Sequence, residues 1–205
     1  MSLLDLAPVV PVVVVDDAAT AVPMARALVA GGLPLIEITL RTEAALEAVR
    51  RIAAEVPDAV VGAGTVRTAD DVTAAVEAGS RFLVSPGTTP GLLAAMLASG
   101  VPFLPGVATA TEAMTLAERG VRELKFFPAE AAGGVGYLKS LGGPLPDVRF
   151  CPTGGITPAT AASYLSLPNV ACVGGSWLTP ADALAQGDYA RVEKLAAEAA
   201  ALRSR

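Results

Sequence analysis

Runs of nearly uninterrupted apolar residues alternate along the chain with segments in which alanine and leucine recur at helical spacing. The apolar runs are "VVPVVVV" from Val9, "LPLIEITL" from Leu33, "AVVGAGT" from Ala59 and "FLVSP" from Phe82. They continue as "PFLPGV" from Pro102, "ELKFFP" from Glu123, "VRFCPTGG" from Val148 and "VACVGG" from Val170. Short runs rich in β-branched and aromatic residues predict strands, and the periodic segments between them predict helices. Threonines followed by proline or acids mark helix starts, at "TADD" (Thr68), "TTPG" (Thr88), "TPAT" (Thr157) and "TPAD" (Thr179), while Gly31, Gly79, Gly100 and Gly120 mark helix ends. Strands that are apolar on both faces belong to parallel sheets covered by helices. Eight strand–helix units in alternation predict a single-domain (β/α)8 TIM barrel over residues 1–205, near the short end for that architecture. An open doubly wound sheet is the alternative, but no G-x-G-x-x-G turn follows the first strand and no P-loop is present.

Polar residues within these runs stand out against that pattern. In "LPLIEITLR", alternation puts Ile36, Ile38 and Leu40 on one face and Glu37, Thr39 and Arg41 on the other. In "ELKFFPAE" it puts Leu124 and Phe126 on one face and Lys125 with Phe127 on the other. Active sites of such barrels gather at the C-terminal ends of the strands, so the polar faces are expected to meet there. Lys125 is one of three lysines in the chain, and the others, Lys139 and Lys194, fall in helical segments. Burial strips an ammonium of hydration and a nearby Arg41 guanidinium repels it; both effects favour the neutral amine that a Schiff-base nucleophile requires. A structural ion pair between Lys125 and Glu37, or between Glu37 and Arg41, is the other reading of the same residues.

Strand seven runs into "PTGGITPAT" and strand eight into "VGGSWLTPAD". Paired glycines where the chain leaves these two strands are expected to bring backbone amides to a phosphate, at Gly154, Gly155, Gly174 and Gly175 with the Thr153 and Ser176 hydroxyls beside them. Tight strand-to-helix turns account for the glycines equally well.

Composition narrows the chemistry. The chain has 205 residues, 53% hydrophobic and 17% charged, with a net charge of −5; no basic face is available for nucleic acid or an anionic membrane, and neither partner is expected. The stretch from Leu6 to Val15 is too short to span a bilayer and is closed by Asp16 and Asp17. No basic residue precedes Arg26, so a secretory leader is not expected, and the cytoplasm is the expected compartment. Cys151 and Cys172 lie in strand-like runs and read as small core residues. Histidine is absent, which removes the commonest general base and zinc ligand and leaves acid–base work to carboxylate, lysine, tyrosine or cysteine.

The segments "EITLRTEAA" (Glu37 to Ala45), "VGAGTV" (Val61 to Val66), "SPG" (Ser85 to Gly87), "KFFPAE" (Lys125 to Glu130), "FCPTGGI" (Phe150 to Ile156) and "GGSWL" (Gly174 to Leu178) resemble, in order and spacing, the bacterial KDPG/KHG aldolases, which act on 2-dehydro-3-deoxy-phosphogluconate and 4-hydroxy-2-oxoglutarate. The resemblance runs from about Val9 to the end of the chain. It implies a cofactor-free class I aldolase of the Entner-Doudoroff pathway that cleaves 2-dehydro-3-deoxy-6-phosphogluconate reversibly to pyruvate and glyceraldehyde 3-phosphate, as a homotrimer. By motif, the Schiff-base lysine falls on Lys125 and the proton-shuttling glutamate on Glu37. The pyruvate carboxylate contacts fall on Arg41 and Thr65, with Pro86 and Phe127 shaping the pocket. The residue linked to stereochemistry falls on Thr153, and Gly154, Gly155, Gly175 and Ser176 match the phosphate end. An aldolase for the galactonate-derived epimer and a non-catalytic barrel binding a phosphorylated ligand are the rival readings.

Overall fold

A computed structural model describes residues 2–202. Strands β1 (Val9–Val13), β2 (Leu35–Thr39), β3 (Val60–Gly64), β4 (Leu83–Val84) and β5 (Phe103–Leu104) are joined by helices α1 (Ala21–Ala30), α2 (Ala45–Glu55), α3 (Ala69–Glu77) and α4 (Pro90–Ala98). There follow β6 (Gly106–Val107), α5 (Ala110–Glu118), β7 (Glu123–Phe126), α6 (Gly134–Leu141), β8 (Arg149–Pro152), α7 (Pro158–Leu165), β9 (Val173–Gly175), α8 (Ala181–Gln186) and α9 (Tyr189–Ala200). All strand pairs are parallel. Six strands form one sheet in the order β5-β4-β3-β2-β1-β9, and three form a second in the order β6-β7-β8. The result is a single-domain α/β fold in which parallel strands build a half-barrel.

The expected ring of eight regular strands is not present as one continuous ladder. The predicted fifth strand is divided at Pro105, which has no N–H to give; β5 pairs with β4 and β6 with β7, while Lys125 N–H donates to the Pro105 carbonyl. At the other junction, isolated parallel bridges join Phe150 to Val170 and Thr153 to Gly174 in place of a regular ladder. The predicted last helix is likewise two helices, α8 and α9, separated at Gly187, whose φ of 68° ends the first.

Helix starts follow the expected chemistry, with two shifts. Thr68 caps α3 with a capping box to Asp71, and Thr157 caps α7 ahead of Pro158. In "TTPG" the cap is Thr89, because the Thr88 hydroxyl donates to the Gly106 carbonyl at 3.0 Å. In "TPAD" the cap position is Pro180 rather than Thr179.

Alternation along the strands divides the core in two. Ile36, Ile38, Leu124, Phe126 and Phe150 pack outward against helix residues such as Val49, Ile52, Leu138 and Tyr164. Burial of each such aliphatic or aromatic side chain contributes roughly 1.5–3 kcal/mol. The inward set is Val10, Leu35, Phe82, Val84, Leu104, Cys151 and Cys172, with Leu4 of a 3₁₀ turn at Leu3–Asp5 joining it. Both cysteines are free, buried core residues, as their sequence context predicts. This inner layer floors the site, since Leu35, Val84, Cys151 and Cys172 each precede by two positions a residue of interest: Glu37, Pro86, Thr153 and Gly174. Among the described residues, no helix is long and apolar enough to cross a membrane.

Candidate active site

Above this floor, the inward positions of β2 and β7 carry polar side chains. Glu37 on β2 and Lys125 on β7 both arrive there by the alternation of strand faces. They are 3% and 5% exposed, and Lys125 Nζ donates to Glu37 Oε1 at 3.1 Å. Their positions are 88 residues apart in sequence, so the pair exists only because the two sheets face each other. Phe127, the next inward residue after Lys125, sets its ring 5.4 Å from Nζ. A carboxylate in direct contact with an amine, under an aromatic wall and away from bulk water, is an arrangement in which a proton passes between the two without a relay.

Of the two groups expected beside the amine, the carboxylate is therefore in contact. Arg41 lies just past β2 and is exposed, with Nε 3.4 Å from the Thr65 hydroxyl. That hydroxyl is aimed by an unusual backbone: Thr65 follows β3 with φ of 58°, a left-handed conformation that costs a β-branched residue about 1–2 kcal/mol. Two further hydroxyls tie the end of β1 to β2, Thr39 to the Val13 carbonyl at 2.9 Å and Thr42 to the Val15 carbonyl at 2.5 Å. They hold the segment from which Arg41 projects. Pro86 is half-buried at the end of β4; the backbone of Gly106 lies so close that a Cβ there would come within 2.4 Å of the Pro86 carbonyl carbon. Ser85, wholly buried, accepts the Gly106 N–H at 3.1 Å and fixes that crossing.

At the opposite wall, Thr153 is buried at the end of β8. Gly154 and Gly155 follow with φ of 103° and 80°, a turn that only glycine makes without strain, as expected. Gly174 and Gly175 differ from expectation. They lie within β9 rather than in a turn, and their role is close approach: a Cβ on Gly174 would meet Thr153 Oγ1 at 2.2 Å, and one on Gly175 the Trp177 ring at 2.1 Å. Ser176 is exposed directly beyond them. The candidate residues thus gather at the C-terminal ends of β2, β3, β4, β7, β8 and β9. A separate cleft of about 250 Å³ between α4 and α5, walled by Leu93, Leu97 and Leu116, contains none of them.

Comparison with known proteins bears on this arrangement directly. A family model described as KDPG and KHG aldolase matches residues 1–195. The chain belongs to the KDPG and KHG aldolase family. The KHG/KDPG aldolase of Escherichia coli K12 is 54% identical over 198 residues, covering 97% of this chain and 93% of that protein. Among solved structures, the KDPG aldolase of Legionella pneumophila, with pyruvate captured at low pH as a covalent carbinolamine intermediate, superposes with a TM-score of 0.94 at 44% identity, covering 96% of both chains. The aldolase of Zymomonas mobilis ZM4 with 3-phosphoglycerate gives 0.92 at 50% identity, covering 98% of this chain and 94% of the other.

In this KDPG and KHG aldolase family member one supporting pair escaped the sequence reading. Tyr164 of α7, fully buried, donates its hydroxyl to Glu130 at 2.7 Å, and Glu130 N–H donates to the Gly154 carbonyl at 3.1 Å. The pair links the loop after β7 to the Gly154–Gly155 turn. Its signal was a tyrosine in an otherwise small-residue helix, but nothing local names a partner 34 residues away. Burial, and then the Glu130 carboxylate, push the Tyr164 phenol well above its usual range. Such a group contributes fully below the unfolded tyrosine value of about 10 and loses its contribution as the pH rises above it. Tyr164→Phe is therefore expected to lower stability by about 1 kcal/mol at pH 7, less than a buried charged hydrogen bond because Glu130 is exposed. It should also flatten the alkaline decline; a thermal-denaturation series from pH 7 to 11 checks both.

Proposed function

We propose that the protein is a class I aldolase that cleaves 2-dehydro-3-deoxy-6-phosphogluconate reversibly to pyruvate and glyceraldehyde 3-phosphate, with 4-hydroxy-2-oxoglutarate as a second substrate giving pyruvate and glyoxylate. The observation that carries it is the buried contact between Lys125 Nζ and Glu37 Oε1 at 3.1 Å. The names of the relatives support the substrate class, and the E. coli relative's name covers both substrates. The two sheets are read as the parts of one closed (β/α)8 barrel, a single domain over the chain, working as a cytoplasmic homotrimer.

The amine of Lys125 attacks the C2 ketone, and Glu37 moves protons while the carbinolamine loses water to the cationic iminium. Glu37 then takes the proton from the C4 hydroxyl. The C3–C4 bond breaks, its electron pair entering the iminium, so that an aldehyde leaves and an enamine remains on Lys125. Protonation at C3 and attack of water on the resulting iminium release pyruvate and regenerate the amine. The iminium is the electron sink of the reaction, which is why the nucleophile must be an amine. Arg41 suits the pyruvate carboxylate because its planar fork binds both oxygens, with the Thr65 hydroxyl beside it. Pro86 and Phe127 exclude water from C3, and Thr153 faces the position where the C4 configuration is sensed. Gly154, Gly155, Gly175 and Ser176 take the phosphate.

Borohydride reduction in the presence of pyruvate tests the reading. A stable mass adduct on Lys125 is expected, and a protein that yields none, or yields it elsewhere, is not this aldolase. For the phosphate end, Ser176→Ala is expected to lower kcat/KM about tenfold for the phosphorylated substrate, the value of one exposed hydrogen bond to a charge. The change for 4-hydroxy-2-oxoglutarate should be less than about twofold, because that substrate has no phosphate to lose contact with. Equal losses would remove Ser176 from the phosphate site. The same comparison, extended to the galactonate-derived epimer, ranks the substrates.

A further inference from the structure

The inward face of β3 has no side chains at two successive positions. Gly62 and Gly64 point the same way, and the register sets them beside Glu37 and Thr39 of β2. Both vacancies are filled by neighbours. A Cβ on Gly62 would fall 2.4 Å from the Phe82 ring. A Cβ on Gly64 would fall 2.1 Å from Glu37 Oε1 and 2.6 Å from its Cδ and Cγ. The oxygen that occupies the Gly64 vacancy is the one that meets Lys125 Nζ. Gly64 does not have the positive φ of the turn glycines, so its backbone conformation is one that any L-residue adopts. Glycine is required here for space and not for conformation.

We propose that Gly64 is a positioning residue for the Lys125–Glu37 pair: the missing side chain lets the Glu37 carboxylate lie against the β3 backbone with Oε1 in reach of the amine. The inference rests on the proposed aldolase chemistry and deepens it. A methyl group at this position and the carboxylate cannot both keep their places. Relief to an ordinary contact needs a shift of about 1 Å, and a displacement of that size at a reacting group is worth about a hundredfold in rate. Glu37 is 3% exposed, so no open solvent space absorbs the shift, and it must change the geometry between Oε1 and Nζ.

Gly64→Ala tests this. Its kcat should fall about a hundredfold with KM changed by less than about threefold, while borohydride still traps pyruvate on Lys125, because the amine is untouched. The thermal midpoint should fall as well, and that loss should vanish when Glu37→Ala removes the atoms that the new methyl would meet. A Gly64→Ala enzyme with unchanged kcat overturns the proposal. So does a loss of midpoint of the same size with and without the Glu37 side chain, which would mean that Gly64 serves some other contact. If Gly64→Ala alone does not fold, the comparison of Glu37→Ala with Glu37→Ala/Gly64→Ala decides: a folded double variant supports the proposal and an unfolded one overturns it. A wild-type protein that traps no pyruvate would refute the aldolase reading, whereas the midpoint comparison would still report on the steric coupling.

Discussion

Lys125→Ala is expected to abolish the borohydride-trapped pyruvate adduct and to lower kcat by about four to six orders of magnitude, the scale seen when the covalent nucleophile of an enzyme is removed. Adduct mass and peptide mapping check the first, steady-state cleavage the second. The mapping discriminates well, since the only other lysines, Lys139 and Lys194, are exposed on α6 and α9. An adduct that persists in Lys125→Ala would place the chemistry on one of them. The substitution also leaves the buried Glu37 carboxylate without its partner, and breaking a buried pair from one side costs about 3–5 kcal/mol. Loss of activity must therefore be read on folded protein. Circular dichroism and a thermal midpoint provide that control, and Lys125→Met, which fills the same space, should be equally inactive. A structural ion pair would behave differently: either variant would lose stability while the remaining turnover followed the folded fraction.

The faces of β2 and β7 were legible because the period of a strand is two. Ile36 and Ile38 among aliphatics, with Glu37 and Thr39 between them, left one assignment of inside and outside, and the same held for Leu124 and Phe126 around Lys125. Ends of elements were less so. Pro105 looked like one more residue of an apolar run, yet the missing N–H splits the strand, and a change of pairing partner depends on neighbours that a local pattern does not contain. The glycine pairs show the same limit. "TGG" and "VGG" are alike as strings, but Gly154 and Gly155 supply left-handed turns whereas Gly174 and Gly175 supply room for Thr153 and Trp177. Local sequence reports that a side chain is absent; which atoms use the space is decided by another strand. Gly64 and the Tyr164–Glu130 pair belong to that class.

Glu37→Gln should reduce kcat by about 10²–10⁴-fold, the usual contribution of a positioned general acid–base, with little change in KM. The substitution is nearly isosteric, and the amide oxygen still accepts from Lys125 Nζ, so the geometry of the pair and the space over Gly64 are retained. What is lost is the capacity to take a proton. In the proposed mechanism two steps need that capacity, dehydration of the carbinolamine and removal of the C4 hydroxyl proton, so the pyruvate adduct should still form in full but more slowly, and cleavage should fall further than adduct formation. Time-resolved trapping beside steady-state turnover measures the two separately. Turnover equal to the wild type would remove Glu37 from the chemistry and leave it as the counter-ion of Lys125. A complete failure to form the adduct, on protein with an unchanged thermal midpoint, would instead make Glu37 essential for activating the amine itself. The intermediate result, slow capture and slower cleavage, follows only if one carboxylate serves both proton transfers. Its contact with Lys125 Nζ, unbroken by any intervening group, permits that double use.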